Sequence, residues 1–545
     1  MRVVYKCDDG TDFPVDWDDP ADAEMTWGRE AEHLKLPSLP IESSTIGPAM
    51  GAGASRAFVE VGLPAPPFAG GRVMVANGWV YTTAFGGGDE MGDGMAQMMA
   101  GFRGLNEVHG GPVGVWEKLC LPRIKEACEE LKTSGGDASP LELATRQWYA
   151  WGHTMVAMFA SFGPTLALEG FCNQEFGLDG SAFAGELMQG YENATVQADE
   201  DLWRVAQVAK GSEAARKALA ASPIDVEALK ADGGFWRAFQ GYLDVYGERT
   251  GHWQVGAPTL IEEPETALSL IARMIEAGTS SPLAMLRRAA ERREARLQEL
   301  AQRLGPEKAP QLRRMAAAAA MYSPVREGRA YWQLVAWGRM RLAMFRIGER
   351  LVREGRIADA KDVLFLTAEE IEGAGAHDMR AAVAERREAW ERSAKLKAPE
   401  SIGKMGNTLN PFAGTSRAAV EDAADVIRGV AASRGAVTAV ARVIESPQEG
   451  KRLQPGEVLV CRMTAPPWTP LFAIASAVVT ETGGALSHPA IVAREYGIPC
   501  VVGAKGATSR IRDGQRITVD GTAGTVTLLK VRVVVSRFGG YGGGL

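Results

Sequence analysis

Apolar and polar positions along this chain repeat with two different periods, and the change falls near residue 400. From about residue 94 to 395 apolar residues recur every three to four positions, which predicts a body built mostly of helices. Two long charged helices are predicted near 282–304 and 308–321, joined at "GPEKAP", a turn signal. Another runs through "REGRAYWQLVAWGRMRLAMFRIGERLVREG", where Trp332, Val335, Met340 and Met344 keep helical spacing and read as a core stripe. Ahead of the body, "RVMVANGWVYTTA" alternates and predicts a hairpin turning at Asn77-Gly78. Residues 1–45, rich in Pro, Asp and Trp, read as an extended arm, and "FGGGDEMGDG" as a glycine-rich loop.

Residues 398–425 carry Pro399, Gly403, Gly406, Pro411 and Gly414 and read as a linker. Beyond it "AVTAVARVI", "GEVLVC", "AVVTE", "PCVVG" and "GTVTLL" are short β-rich runs with turn residues between them and one helix. The expected organisation is therefore multidomain. A mostly α-helical domain over 46–397 is followed by a small α/β domain over 426–533 and a Gly-rich tail over 534–545.

Composition narrows the function. The chain has 545 residues, 23% of them charged, and a net charge of −7. Nucleic-acid binders carry a basic face, and none is evident here. The six cysteines lie far apart, without the spacing of a zinc or redox site, so no metal site is predicted. The N-terminus lacks the pattern of a signal peptide. The most apolar run, "MVAMFASFGPTLAL", is shorter than a membrane span and interrupted by Gly163 and Pro164. The expectation is a cytoplasmic protein without membrane or nucleic-acid partners. No GxxxxGK[ST] phosphate loop occurs.

The stretch that carries chemistry is "TETGGALSHPAIVAREYGIPCVVG", residues 480–503. A strand ends at Gly483-Gly484, Ser487 suits an N-cap, and Pro489 suits a first helical turn. Gly497 ends the helix and a strand follows. His488 thus falls at a helix N-terminus, where free N–H groups and the helix dipole favour a phosphate and an uncharged imidazole. Such an imidazole is a nitrogen nucleophile for phosphoryl transfer. Thr482 and Ser487 are candidate donors to the phosphoryl oxygens, and Arg494 a candidate counter-charge. A histidine at a helix start also serves simply as a capping or surface residue, and spacing alone leaves that open.

The same segment resembles the signature of the swivelling phosphohistidine domain of the phosphoenolpyruvate-utilising enzyme superfamily. The resemblance is carried by Thr480, Glu481, Gly483, Gly484, Ser487, His488, Ala490, Ile491, Val492, Ala493, Arg494, Gly497, Pro499 and Gly503. The flanks "GEVLVCRMTAPPWTPLF" and "IRDGQRITVDGTAGTVTLL" extend it over roughly 425–530. More loosely, "MTWGREAEHLKLPSLP", "ANGWVY", "VYGERTGHW" and "GERLVREGRIADAKDVLFLTAEEI" are similar, in the same order, to the acceptor-binding domain of phenylphosphate synthase and rifampicin phosphotransferase. The layout is closest to the phenylphosphate synthase and hydroxyacetophenone kinase subunits.

The resemblance implies that His488 carries a phosphoryl group. Relatives open with an ATP-grasp domain, which this sequence does not show. The expected cofactor, Mg-ATP, would then lie on a separate ATP-grasp subunit. The acceptor would be a small, phenolic hydroxyl compound held by the helical domain. A rifamycin-like antibiotic or another alcohol is an alternative, as is a phosphocarrier or regulatory protein with no acceptor of its own. Candidates near the acceptor are His252 as base with Arg249 as charge stabiliser, and His33, His109, Trp253, Arg326 and Arg329 as binding residues. Relatives often have an acidic–His pair where this chain has Gly328-Arg329. Met91, Met95, Met98 and Met99 read as core or as an aromatic-binding loop.

Overall fold

The computed structural model describes residues 1–404 and 425–529, apart from 8, 31–33, 35, 67–71, 84–88, 178–179 and 374–376, and the side chains of 89–95 and 448. The first 45 residues are not an arm. Strands Arg2–Lys6 and Asp12–Asp16 pair antiparallel as a hairpin. Strand Thr26–Arg29 lies inside a four-stranded sheet between Trp79–Thr83 and Ser401–Gly403, with Val73–Ala76 at its edge. Phe13, Trp17, Trp27, Tyr81 and Ile402 close a small core there. The aromatic side chains supply enough buried area to order a segment whose Pro and Asp content suggested none. The start of the expected linker is also structured, because Ser401–Gly403 is an edge of that sheet. Residues 405–424 and the expected tail lie outside the described residues. The hairpin turns at Asn77-Gly78, both with positive φ (47° and 81°), as a two-residue turn requires.

Five helices carry the body: α1 (Pro40–Glu60), α2 (Pro140–Phe176), α3 (Ala194–Gly211), α4 (Pro282–Ala319) and α5 (Tyr322–Arg353). Helix α4 breaks at Gly305 (φ 73°), where the sequence predicts its turn. By length and composition α2 is long and apolar enough to cross a membrane, and more than half of its apolar window is buried against its neighbours. Small residues let α1 and α2 touch: a Cβ at Gly152 would lie 2.7 Å from that of Ala57. Met98 is fully inside this core and Met99 packs on it, so these two are packing residues.

The same logic makes a test on α5. A Cβ at Gly338 would sit 1.7 Å from the Glu248 carbonyl oxygen, in a contact that backbone on both sides holds rigid. Gly338→Ala is expected to lower the thermal midpoint by roughly 3–10 °C, since overpacking costs about 1–3 kcal/mol. Gly241→Ala, where a Cβ meets nothing within 4 Å, should leave the midpoint equal or slightly higher in the same circular dichroism melt.

The C-terminal module has strands β1 (Val426–Arg428), β2 (Val430–Ser433), β3 (Ala436–Val443), β4 (Val458–Cys461), β5 (Ala477–Thr480), β6 (Cys500–Val502), β7 (Arg516–Asp520) and β8 (Thr525–Leu528), with helix α6 (His488–Tyr496) between β5 and β6. Strand order is β1-β8-β7-β3-β4-β5-β6-β2, parallel from β3 through β6 and antiparallel elsewhere. Successive residues of β4 face opposite layers, as strand geometry dictates. Val458 and Val460 join one core with Val479, Val501 and Ile517. Leu459 and Cys461 join another, with Trp468, Phe472 and Ala490, that is continuous with Leu202, Phe235 and Ile271 of the helical body. The module is thus seated on the body, with α6 at the junction.

Candidate functional site

Local sequence sets α6 as expected. Ser487 holds the N-cap position, Pro489 lies in the first turn, and Gly497 ends the helix with φ 70°. The Ser487 hydroxyl, however, makes no capping bond and has no hydrogen-bond partner among the described residues. It lies over Gly483 (φ 105°), where a Cβ would come within 2.8 Å of Ser487 Oγ. Glycine is required there on both counts.

His488 is the first residue of α6, and its ring is 3% exposed. The burial is polar. His488 Nδ1 lies 2.9 Å from Glu327 Oε2, a carboxylate of α5 in the other domain. Nε2 lies 3.4 Å from Thr469 Oγ1, and Phe472 meets the ring edge-on. Glu327 is itself fully buried and also accepts from Thr195 Oγ1 at 2.7 Å and from Arg326 Nη1 at 3.1 Å. Burial alone would raise its pKa. The His488 ring, Arg326 and Thr195 outweigh that and hold it down to about 2. An ionised carboxylate only accepts hydrogen bonds, so Nδ1 carries a proton, and in the uncharged ring the lone pair is then on Nε2.

Two further side chains of α6 reach the body. Glu495 Oε1 accepts from Asn193 Nδ2 at 3.1 Å and from Ser323 Oγ at 3.3 Å, while Oε2 has no partner. Burial, first, and the nearby Glu327 carboxylate raise the Glu495 pKa well above its usual value. Tyr496 donates its hydroxyl to Asp199 Oδ2 at 2.9 Å. Burial pushes Asp199 up to about 8 against the opposing pull of Tyr496 and Arg249. The start of α3 and the start of α5 therefore form one polar seat for α6.

The remaining predicted residues distribute unevenly. Arg326 and Arg329 lie beside the pair on α5. Among the described residues Arg329 Nε has no hydrogen-bond partner, and burial with the neighbouring Arg326 lowers the guanidinium pKa to about 10. Gly328, between Glu327 and Arg329, is a glycine because Trp116 approaches: a Cβ there would be 2.9 Å from its ring. Thr482 Oγ1 donates to the Arg462 carbonyl at 3.3 Å, and Gly484 leaves open space where a Cβ would be.

Arg494 is placed differently from expectation. Its Nε donates to the Ala432 carbonyl at 2.7 Å and its Nη2 to that of Ala485, and it lies a third of a turn round α6 from His488. It braces the glycine loop against β2 rather than facing the imidazole.

Arg249 is buried, with Nη2 bonded to Tyr242 Oη at 3.2 Å and its guanidinium over the rings of Tyr246 and Tyr331. The loop bearing His252 and Trp253 is tied to α5 through Thr250 and the Leu334 carbonyl. That is two turns, about 10 Å, along the helix from Glu327. Gln254 in this loop pairs at 2.9 Å with both the N–H and the carbonyl of Leu36, so two of the segments that carry the family resemblance do meet. His109 ends a helix that packs on α2 and bonds to none of the site residues, and His33 lies outside the described residues.

Glu327, Thr195, Asn193, Asp199, Glu495 and Thr469 were not singled out by sequence. Glu495 lies in the 480–503 segment and Thr469 in its flank, but neither was given a role there, and the other four come to α6 only through the fold. His153 is a further buried imidazole, with neither ring nitrogen partnered and its pKa pushed down to about 4 by burial. It packs edge-on against Tyr149 as a neutral core residue.

With this geometry in place, comparison with known proteins is informative. Residues 453–524 match the PEP-utilising enzyme, mobile domain, and residues 153–327 match the rifampicin phosphotransferase fourth domain. The resemblance carried by residues 480–503 is borne out: these two regions are modules of the phosphoenolpyruvate-utilising enzyme superfamily. Chondramide synthase cmdD of Chondromyces crocatus is 28% identical over 95% of this chain and 14% of its own length. Uncharacterized phosphotransferase YvkC of Bacillus subtilis is 40% identical over 35% of this chain and 24% of its own. A rifampicin phosphotransferase of Streptomyces sp is 36% identical over 54% of this chain and 34% of its own. The chain thus spans about a third or less of the length of these relatives.

Proposed function

We propose that this chain is a phosphotransferase component in which Nε2 of His488 carries a phosphoryl group to a hydroxyl acceptor. The observation that carries the reading is the bond from His488 Nδ1 to an ionised Glu327 on the opposite domain. It fixes the tautomer that leaves Nε2 nucleophilic, and it fixes the ring's direction where module meets body.

In the first step the Nε2 lone pair attacks phosphorus, and the bond from phosphorus to the nucleotide oxygen breaks. Mg-ATP would be held on an ATP-grasp subunit. In the second step the acceptor oxygen attacks phosphorus and the P–N bond breaks, its electron pair returning to Nε2. The hydroxyl proton ends on Nε2, and Glu327 balances the resulting imidazolium. Arg326 and Arg329 lie close enough to Glu327 to offset charge on the phosphoryl oxygens. His488 must leave its seat to be loaded, because its ring is covered as seated. Covalent connection of module and body in one chain would keep the module at high effective concentration at both stations.

The acceptor proposed is a small phenol in a cytoplasmic reaction. A rifamycin-like acceptor is the second reading, favoured by the match over residues 153–327 and by relatives that bear the name rifampicin phosphotransferase. Protein labelled on His488 should lose its label to one of these classes within minutes, with a phosphoester appearing in equal amount by liquid chromatography and mass spectrometry. Loss of label to water alone, with every phenol and rifamycin inert, would favour a carrier without an acceptor of its own.

A further inference from the structure

The carboxylate that meets His488 is itself held from two sides. Thr195 Oγ1 donates to Glu327 Oε2 at 2.7 Å, and His488 Nδ1 meets the same oxygen at 2.9 Å. Arg326 Nη1 donates to the other oxygen, Oε1, at 3.1 Å. Thr195 is 2% exposed and Glu327 fully buried, so solvent does not compete for the bond between them. Thr195 lies on α3 and Glu327 on α5, both in the body, so lifting the module does not separate them.

The start of α3 makes this hydroxyl available. Inside a helix a threonine hydroxyl bonds the carbonyl four residues back, as Thr45, Thr145 and Thr165 do with Ile41, Leu141 and Ser161. Thr195 is the second residue of α3. The carbonyl four residues back, that of Tyr191, lies outside the helix and accepts from Asn193 Nδ2 at 3.2 Å. Asn193 is the N-cap and accepts from the Val196 N–H at 3.0 Å, so the first turn is closed without Thr195. The threonine hydroxyl is left to bond outside its own helix, and its partner is Glu327 on α5. The positive end of α3, 18 residues long, also favours an ionised carboxylate there.

We infer that Thr195 is a positioning residue for the phosphoryl carrier, acting on His488 through Glu327. The inference rests on the phosphohistidine reading above and deepens it. Thr195 and Arg326 hold opposite oxygens of the carboxylate and fix its plane, with Oε2 toward the ring. Without the hydroxyl, the Arg326 guanidinium takes both oxygens, the bidentate geometry that arginine and carboxylate favour, and Glu327 turns away from His488. The Nδ1–H form then loses its acceptor, and the lone pair is no longer kept on Nε2. Because the Thr195 bond lies wholly within the body, the carboxylate is already oriented when the module arrives.

Ring-nitrogen NMR of the full chain at pH 7, with isotopically labelled histidine and a His488→Gln sample to assign the signal, reads the tautomer directly. The unaltered chain should show the uncharged His488 ring mainly as Nδ1–H. Thr195→Val keeps the shape and removes the hydroxyl, and should lower the ratio of Nδ1–H to Nε2–H about tenfold, the worth of one hydrogen bond to a charged group. Thr195→Ala, which leaves nothing to crowd the site, should lower it equally. Thr195→Ser, which keeps the hydroxyl, should stay within about twofold of the unaltered chain. A merely structural threonine would move the melting midpoint and leave the ratio alone. An unchanged ratio in the Val and Ala variants, or a Ser variant that behaves like them, overturns the role of Thr195. Nε2–H as the main form of the unaltered chain overturns it together with the tautomer. No readout needs phosphoryl transfer, so Thr195 can fail while the phosphohistidine reading stands.

Discussion

Exposed to phosphoramidate, a small phosphoryl donor, the Glu327→Ala protein gains an acid-labile phosphoryl group in the peptide spanning residues 480–503 about tenfold faster or more than the unaltered chain. The His488→Ala protein gains none there. The peptide holds a single histidine, so mass spectrometry of this one fragment reads His488 alone. The rate difference follows from the seat. His488 is covered, and among the described residues Glu327 is the one charged group of the body bonded to its ring. Removing a hydrogen bond to a charged group costs about 1.5–3 kcal/mol. Here that cost falls on the seated arrangement, and the released module exposes Nε2. In the unaltered chain, where Glu327 is present, the modified nitrogen is a second readout: Nε2-phosphohistidine agrees with Nδ1 holding the proton toward Glu327, whereas Nδ1-phosphohistidine contradicts the tautomer. Absence of label at His488 in the Glu327→Ala protein would remove the carrier reading itself.

The module's half of this site was legible in sequence because its signals are local. The glycine pair, the N-cap position, Pro489 and Gly497 fix a strand–loop–helix by short-range backbone preference, and His488 falls at its mouth by counting residues. The module's boundary at 426 followed from a change of period. The receiving half was not legible. Glu327 lies in "VREGRAYW", where helical spacing equally suits a solvated charge, and it is buried only because α3 and the module cover it.

The arginines show the same division. Arg326 and Arg329 were singled out because arginine beside the expected acceptor position has a chemical use, and they lie beside Glu327 on α5. Arg494, read as a phosphoryl partner from its place in the motif, is tied instead to two carbonyls that only the tertiary fold brings within reach. The N-terminal 45 residues failed for a related reason. Their strands are four or five residues long, and the partner strand Ser401–Gly403 lies more than 370 residues away in sequence. Periodicity has no window of that size.

A shift from pH 6 to pH 8 is expected to unseat the module. The groups facing α6 are Glu327, Arg326 and Arg329 from α5, Asp199 from α3, Arg249 from the following helical region, and Arg292 from α4, which donates to the Arg494 carbonyl at 2.9 Å. Three carboxyl groups decide the sign. Glu327 is depressed to about 2 from 4.5, so its contribution is complete above pH 4.5 and constant across the range tested. Asp199 is raised to about 8 from 3.8, and Glu495 is raised well above 4.5. Both bind a proton when seated and release it when exposed, so seating takes up protons and weakens as pH climbs from the exposed to the seated pKa. Each such group changes the seated-to-free ratio by up to about tenfold per pH unit. Small-angle X-ray scattering reads the outcome without a pH-sensitive reagent: the radius of gyration of the full chain grows between pH 6 and pH 8. In the Asp199→Asn/Glu495→Gln double variant both protons are replaced by amides that need no titration, and the radius stays at its pH 6 value. A radius independent of pH in the unaltered chain, or equal growth in the double variant, would show that these carboxyls do not control the seat.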